Sequence, residues 1–186
     1  MNQSFIHGAF EGLTSPAISE LSLQVQAIDF VIQWRRCGMT ADYLADFLAY
    51  AYEHREVAKN VVSTVVNELI ENAVKFSPDK SRPIWVSVRN LGSALQLETV
   101  NFADESQVAS FQKTLATLAQ GKAEDLFLAQ IDRSPSGDQT GSGVGLIVLC
   151  RDYSATLAVR AVPDEEPARY RVTVQVTLSE EEIEQR

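Results

Sequence analysis

Histidine, cysteine, methionine and tryptophan occur only twice each in the 186 residues. Two cysteines, Cys37 and Cys150, are too few for a disulfide framework and point to a reducing compartment. Neither cysteine sits in a CxxC pair or a Cys/His cluster, which argues against a zinc site. Basic residues are scarce as well: 16 Lys and Arg face 25 Asp and Glu, a net charge of −9. That balance speaks against a nucleic-acid-binding surface, though not against nucleotides, whose phosphates are usually held by backbone amides and a metal. No apolar run is long enough for a membrane span. The opening MNQSFIHGAFEGL lacks the basic stretch and apolar core of a secretory signal, so the expected location is cytoplasmic. Repeats, low-complexity tracts and Ser/Gly linkers are missing too. What is present is an ordinary globular balance, 45% apolar and 22% charged, enough for one domain with a full core.

Residues 21–26 alternate with period two and predict a strand. Helices are expected over 27–36 and 41–53, punctuated by Gly38 and by Thr40 as an N-cap. A long helix should run from Glu56 to Phe76, stopped by Ser77-Pro78-Asp79. Ile84, Val86 and Val88 alternate, Asn90 to Ser93 reads as a turn, and 94–101 as a partner strand. Shorter helices are expected over 106–120 and 123–131, then a stretch rich in Ser, Gly, Asp and Thr at 134–143 and a helix at 144–153. Leu157, Val159 and Ala161 alternate, 163–167 turns, and Tyr170 to Leu178 alternate again, the pattern of a hairpin with one buried face. About five strands, with helical segments between strand pairs, predict an α/β (α+β) two-layer sandwich with helices on one face. A doubly wound parallel sheet would show continuous apolar strands instead. The domain is expected over 21–178, with residues 1–20 as an extension and 179–186 as an acidic tail, solvated or a frayed helix.

Two segments carry residues suited to chemistry. On the long helix, Glu68, Asn72 and Lys75 fall within about 60° of one another and form a polar stripe along the margin of the buried face. Val65, Leu69, Ala73 and Phe76 lie on its buried side, and Asn60, Asn67 and Glu71 toward solvent. Glu68 and Asn72, at i and i+4, can offer a carboxylate and an amide oxygen to a hydrated magnesium ion. A partly desolvated Glu68 can also act as a general base. The plain alternative is a Glu-Lys surface helix. The second segment is Thr140-Gly141-Ser142-Gly143-Val144-Gly145-Leu146, leading into a helix. Its alternate glycines leave backbone amides unshielded before a helix N-terminus, a cradle for phosphate, although a flexible loop would look similar. The spacing is that of neither a Rossmann fingerprint nor a P-loop.

Taken together, ELIENAVKFS and GSGVGL some 70 residues later resemble the N-box and second glycine box of the histidine-kinase-like (GHKL, Bergerat-fold) ATPases. The resemblance covers roughly residues 20–178 and implies a mixed sheet of about five strands. It also implies ATP and Mg²⁺ as ligands, with Asn72 binding the nucleotide's Mg²⁺ and Glu68 in the catalytic-base position, with possible contact to the metal through water. Lys75 would lie close to the phosphates, which Thr140 to Leu146 would wrap under a lid spanning about 104–140. Among the branches, the chain looks most like anti-sigma factor serine kinases and SiaB-type partner-switching regulators. Those phosphorylate Ser or Thr on a small STAS-like or antagonist-like protein. A homodimer is open, and neither nucleic acid nor membrane is an expected partner. In the family, the first glycine box is DxGxG, whose Asp accepts from the adenine amino group. Here Asn101 holds that register and no glycine follows; Asp104, three residues on, is the weaker substitute. Asn101 can still accept that bond without the charge assistance of a carboxylate. The alternative function is therefore a non-catalytic protein-binding module that keeps the fold.

Lesser features read plainly. His54 is expected to be a solvated connector residue and His7 to lie in a loose N-terminus. Trp34 is expected in the core rather than as a partner anchor beside Arg35 and Arg36. Arg151 is expected in a surface ion pair, and Cys150 as a small apolar residue.

Overall fold

A computed structural model of the chain describes residues 3–10, 16–119 and 144–184. Six strands form one sheet: β1 (Phe5–His7), β2 (Ser19–Gln26), β3 (Pro83–Asn90), β4 (Ala94–Asp104), β5 (Thr156–Pro163) and β6 (Arg169–Ser179). Their order is β1-β5-β6-β4-β3-β2, and every neighbouring pair is antiparallel. The described helices are α1 (Ala27–Ile32), α2 (Arg35–Ala49), α3 (Arg55–Lys75), α4 (Glu105–Leu118), α5 (Val144–Asp152) and α6 (Glu180–Glu184). Inward-facing strand residues such as Ile84, Leu97, Val159 and Val176 join the helices in one core, while Ser22, Gln24, Arg160 and Arg171 face solvent on the other side. The architecture is α+β in two layers.

The sheet differs from the expected mixed sheet of about five strands. The additional strand, β1, is three residues long, too short for an alternation to register in the sequence. It is fixed by its partner instead, pairing Phe5 with Ala161 and His7 with Val159 of β5. His7 therefore sits in a strand rather than a loose terminus.

α3 is the central helix. Six of its residues are valine, a poor helix former, so its helicity comes from burial rather than propensity. Ala58, Val61, Val62, Val65, Val66, Leu69, Ile70 and Ala73 form a helical-period face that is buried. Its end is fixed three ways. Pro78 cannot continue the helix, Ser77 Oγ donates to the Ala73 carbonyl at 2.7 Å, and the Lys80 ammonium donates to the Val74 carbonyl.

α2 packs along α3. The break between α1 and α2 falls at Gln33–Trp34, not at Gly38 and Thr40, so Thr40 lies inside the helix and caps nothing. Burial of Cys37, Ala41, Leu44 and Leu48 outweighs the roughly 1 kcal/mol cost of a helical glycine. Trp34, expected in the core, is 42% exposed. Between β3 and β4, Gly92 takes φ +89°, and its N–H donates to the Asn90 side chain at 2.7 Å, which makes the predicted turn.

The last residues are also better anchored than a solvated tail. α6 buries Ile183 completely, and Glu184 accepts a hydrogen bond from the Glu53 backbone at 2.7 Å. On the open face of the sheet, Trp85 meets Phe102 edge-on at 5.9 Å, and the Arg82 guanidinium stacks 3.4 Å above Phe102 while bonding Asp164 at 2.7 Å. Nothing in the sequence reading signals that cluster.

Candidate functional site

The polar stripe of α3 meets the start of α5. A Cβ added at Gly145 would stand 2.7 Å from the carboxyl carbon of Glu68 and overlap its oxygen. Glycine is required there because the carboxylate lies against the first turn of α5, where the helix dipole favours an anion. Two segments 77 positions apart, Glu68 and Gly145, thus build one corner. Burial raises the Glu68 pKa above its ordinary value, the nearby Glu71 carboxylate adds to the rise, and Lys75 opposes it.

Asn72, one turn along, is buried, and its Nδ2 donates to the Glu68 carbonyl at 2.8 Å. That bond ties the amide nitrogen to the helix and leaves Oδ1 as the acceptor for the cavity the residue lines. Lys75 does not join them. Its ammonium bonds the Glu71 carboxylate at 3.1 Å and lies 5.8 Å from the Trp34 ring, on the outer side of the helix. Glu71 also accepts from Asn67 Nδ2 at 3.0 Å, so these two of the residues read as the solvent side form their own network and draw Lys75 into it.

Asn101 projects from β4 into the same cavity as Asn72. Its Nδ2 donates to the carbonyls of Phe76 at 3.3 Å and of Phe102 at 3.4 Å. A carboxylate could make neither bond, which gives a structural reason for an amide at this position. Asp104 is not its substitute. It caps α4, accepting from Gln107 N–H at 2.8 Å and Ser106 Oγ at 2.7 Å, and these bonds hold its pKa low. Leu146 lines the cavity beside these groups. Thr140, Gly141, Ser142, Gly143, the side chain of Val144 and the helix expected at 123–131 lie outside the described residues.

The remaining cavity walls are mostly apolar: Leu69 and Ala73 of α3, Val172 and Val174 of β6, and Val108 of α4 above, with Thr99 of β4 among them. The sequence reading missed the β6 wall, while the cover falls within the lid expected over about 104–140. Val172 and Val174 carry only the alternation common to every core strand, whereas α4 shows its role through Phe111. That ring stacks on Phe76 with centroids 6.4 Å apart and planes 13° from parallel. With α4 seated, the free space is about 30 Å³, room for a water or two. An open ligand pocket needs roughly 300 Å³ or more. Beyond Phe76 and Gln107, which border both spaces, a wider cleft of about 700 Å³ runs past Trp34, Lys75 and Lys80.

Among the lesser residues, His54 is exposed just ahead of α3, and Arg151 bonds Asp152 at 2.6 Å in a surface ion pair. Cys150 is partly buried and its thiol pKa is raised by that burial. Among the described residues no cluster of His, Cys, Asp and Glu could by itself hold a metal ion, and no helix is long and apolar enough to cross a membrane. No protein-family model matches the chain, and no curated protein matches it.

Proposed function

We propose that the chain is an ATP-binding signalling regulator of the GHKL, Bergerat-type fold, a Ser/Thr protein kinase or nucleotide switch acting on a small STAS-like or antagonist-like partner. The observation that carries this reading is the convergence of its two motifs. Glu68 lies against Gly145, and Asn72 and Asn101 line one apolar cavity beside them. Apolar walls with two amide acceptors suit a heteroaromatic base once α4 moves aside, and a helix start beside them suits phosphate.

The residues present fit Mg·ATP. Asn72 would hold the magnesium through Oδ1, Asn101 would accept from the base, and the Thr140–Leu146 loop would supply amides. When bound, Mg·ATP supplies the transferable phosphoryl group. Glu68 handles the proton: burial makes its carboxylate more basic than an ordinary one, which suits it to take a proton from a partner's Ser or Thr hydroxyl. α4, the described part of the expected lid, narrows the cavity while seated, and its position sets which surface a partner meets.

A second reading, the non-catalytic protein-binding module, is favoured by the small cavity and by an amide in place of a carboxylate at Asn101. Calorimetric titration with ATP, ADP and GTP, with and without Mg²⁺, separates the two. The nucleotide reading requires Mg²⁺-dependent ATP binding that Asn72→Ala abolishes. No heat with any nucleotide at millimolar concentration would leave the binding module.

A further inference from the structure

Four of the described residues that line the cavity carry polar side chains: Asn72, Thr99, Asn101 and Gln107. What each still offers a ligand differs. Asn72 and Asn101 tie their amide nitrogens to main-chain carbonyls, that of Glu68 for the first and those of Phe76 and Phe102 for the second. Each therefore presents an oxygen to the cavity. Neither amide can turn over, because the turned oxygen would face those carbonyls. The Thr99 hydroxyl rotates and serves as donor or acceptor alike. Gln107 is the reverse case. Its Oε1 accepts from the Asp104 N–H at 3.0 Å, the return bond of the capping box that starts α4. Its Nε2 carries two hydrogens, and among the described residues nothing takes them up. These side chains thus give the cavity two fixed acceptors and one fixed donor.

A bound adenine needs that donor. Its amino group can give a hydrogen to Asn101 Oδ1, but its ring nitrogens only accept. Between walls such as Leu69 and Val174, a ring nitrogen left without a donor weakens binding. Gln107 is also placed to remain at the site when α4 moves. It lies in the first turn and bonds Asp104, at the end of β4, in both directions, at 3.0 and 2.8 Å. Phe111, whose ring stacks on Phe76, is one turn further along. A helix that lifts about its capped start frees the Phe111 ring and leaves Gln107 at the cavity.

We infer that Gln107 is a specificity-determining residue for the base: with Oε1 held by Asp104, its Nε2 donates to a ring nitrogen of the bound adenine. The inference rests on the nucleotide reading above and adds to it a residue that neither sequence motif contains.

The test is calorimetric titration of the full-length wild type and of Gln107→Glu with Mg·ATP and with its deaza analogues, in which N1, N3 or N7 of the adenine is replaced in turn by CH. Glutamate completes a capping box as glutamine does, and an acid suits a first helical turn, so the variant should melt with the wild type. The substitution turns the donor into an acceptor, and the affinity for Mg·ATP should fall about 30-fold. With one of the analogues the two proteins should bind alike, because the atom that Gln107 reads is gone. Equal affinity of the two proteins for Mg·ATP would overturn the inference and leave the nucleotide reading standing. So would a loss of the same size with ATP and with every analogue, the mark of a carboxylate that only repels phosphate. A wild type that gives no heat with Mg·ATP at millimolar concentration would contradict the nucleotide reading itself, and the inference with it.

Discussion

Removing the Phe111 ring should make nucleotide bind more tightly, although it weakens the fold. The ring is partly buried and stacks on Phe76. Half of an ordinary Phe burial contributes about 1 kcal/mol and the aromatic pair about another 1 kcal/mol. Phe111→Ala should therefore lose about 2 kcal/mol of stability, which for a chain of this size lowers Tm by about 4–8 °C. The cavity beneath holds about 30 Å³, so a base can enter only when that stack opens. The energy of opening is subtracted from binding, and 2 kcal/mol corresponds to about 30-fold in affinity. Parallel calorimetric titrations of the wild type and Phe111→Ala with Mg·ATP measure the ratio, with a melting curve to show that the variant is folded. A folded variant whose affinity is equal to or weaker than that of the wild type would refute α4 as the cover of a nucleotide cavity.

Burial places the folded-state pKa of Glu68 above its unfolded value, so the penalty for ionising it is absent below the ordinary glutamate pKa and grows as pH rises through the folded one. Glu68→Gln should accordingly melt higher than the wild type at pH 8 and equal to it near pH 4, as scanning calorimetry at the two pH values would show; equal melting at both would sink the burial argument. Asn101→Asp should lose about 3 kcal/mol at neutral pH, since a carboxylate would face the Phe76 and Phe102 carbonyls that the amide now bonds. That loss should shrink in acid as the carboxyl takes up a proton, which urea melts at pH 5 and pH 7.5 can follow. Ile183→Ala should lose about 2–4 kcal/mol by the same melts if α6 is part of the core, and next to nothing if it is a solvated tail.

How legible each part was depended on the range of the interaction that fixes it. α3 and the β5–β6 hairpin stand close to their expected bounds, because periodicity over many residues records which face is buried. Thr40 and Gly38 misled because local propensity there is overruled by the packing of α2 on the next helix, α3, a tertiary contact that the residues around 38–40 do not record. β1 and α6 left no pattern, being three and five residues long and held by distant partners. Within the site, the helical spacing of Glu68 and Asn72 sets them one turn apart, Glu68 against Gly145 and Asn72 on the cavity wall. Lys75 shares their stripe by angle, but its long side chain leans to Glu71, a choice that backbone spacing does not determine. The amide bonds that occupy Asn101 and the capping role of Asp104 depend on where the Phe76 carbonyl and α4 come to rest, which no local pattern encodes.

The central claim is that the cavity between α3, β4, β6 and α5 takes a nucleotide. Methyl-labelled protein titrated with Mg·ATP and followed by NMR tests it at the walls themselves. The account predicts shifts concentrated at Leu69, Ala73, Leu146, Val172 and Val174, with Leu21 and Leu23 on the sheet edge unmoved. Unchanged wall methyls at millimolar Mg·ATP, or shifts confined to another surface, would contradict it.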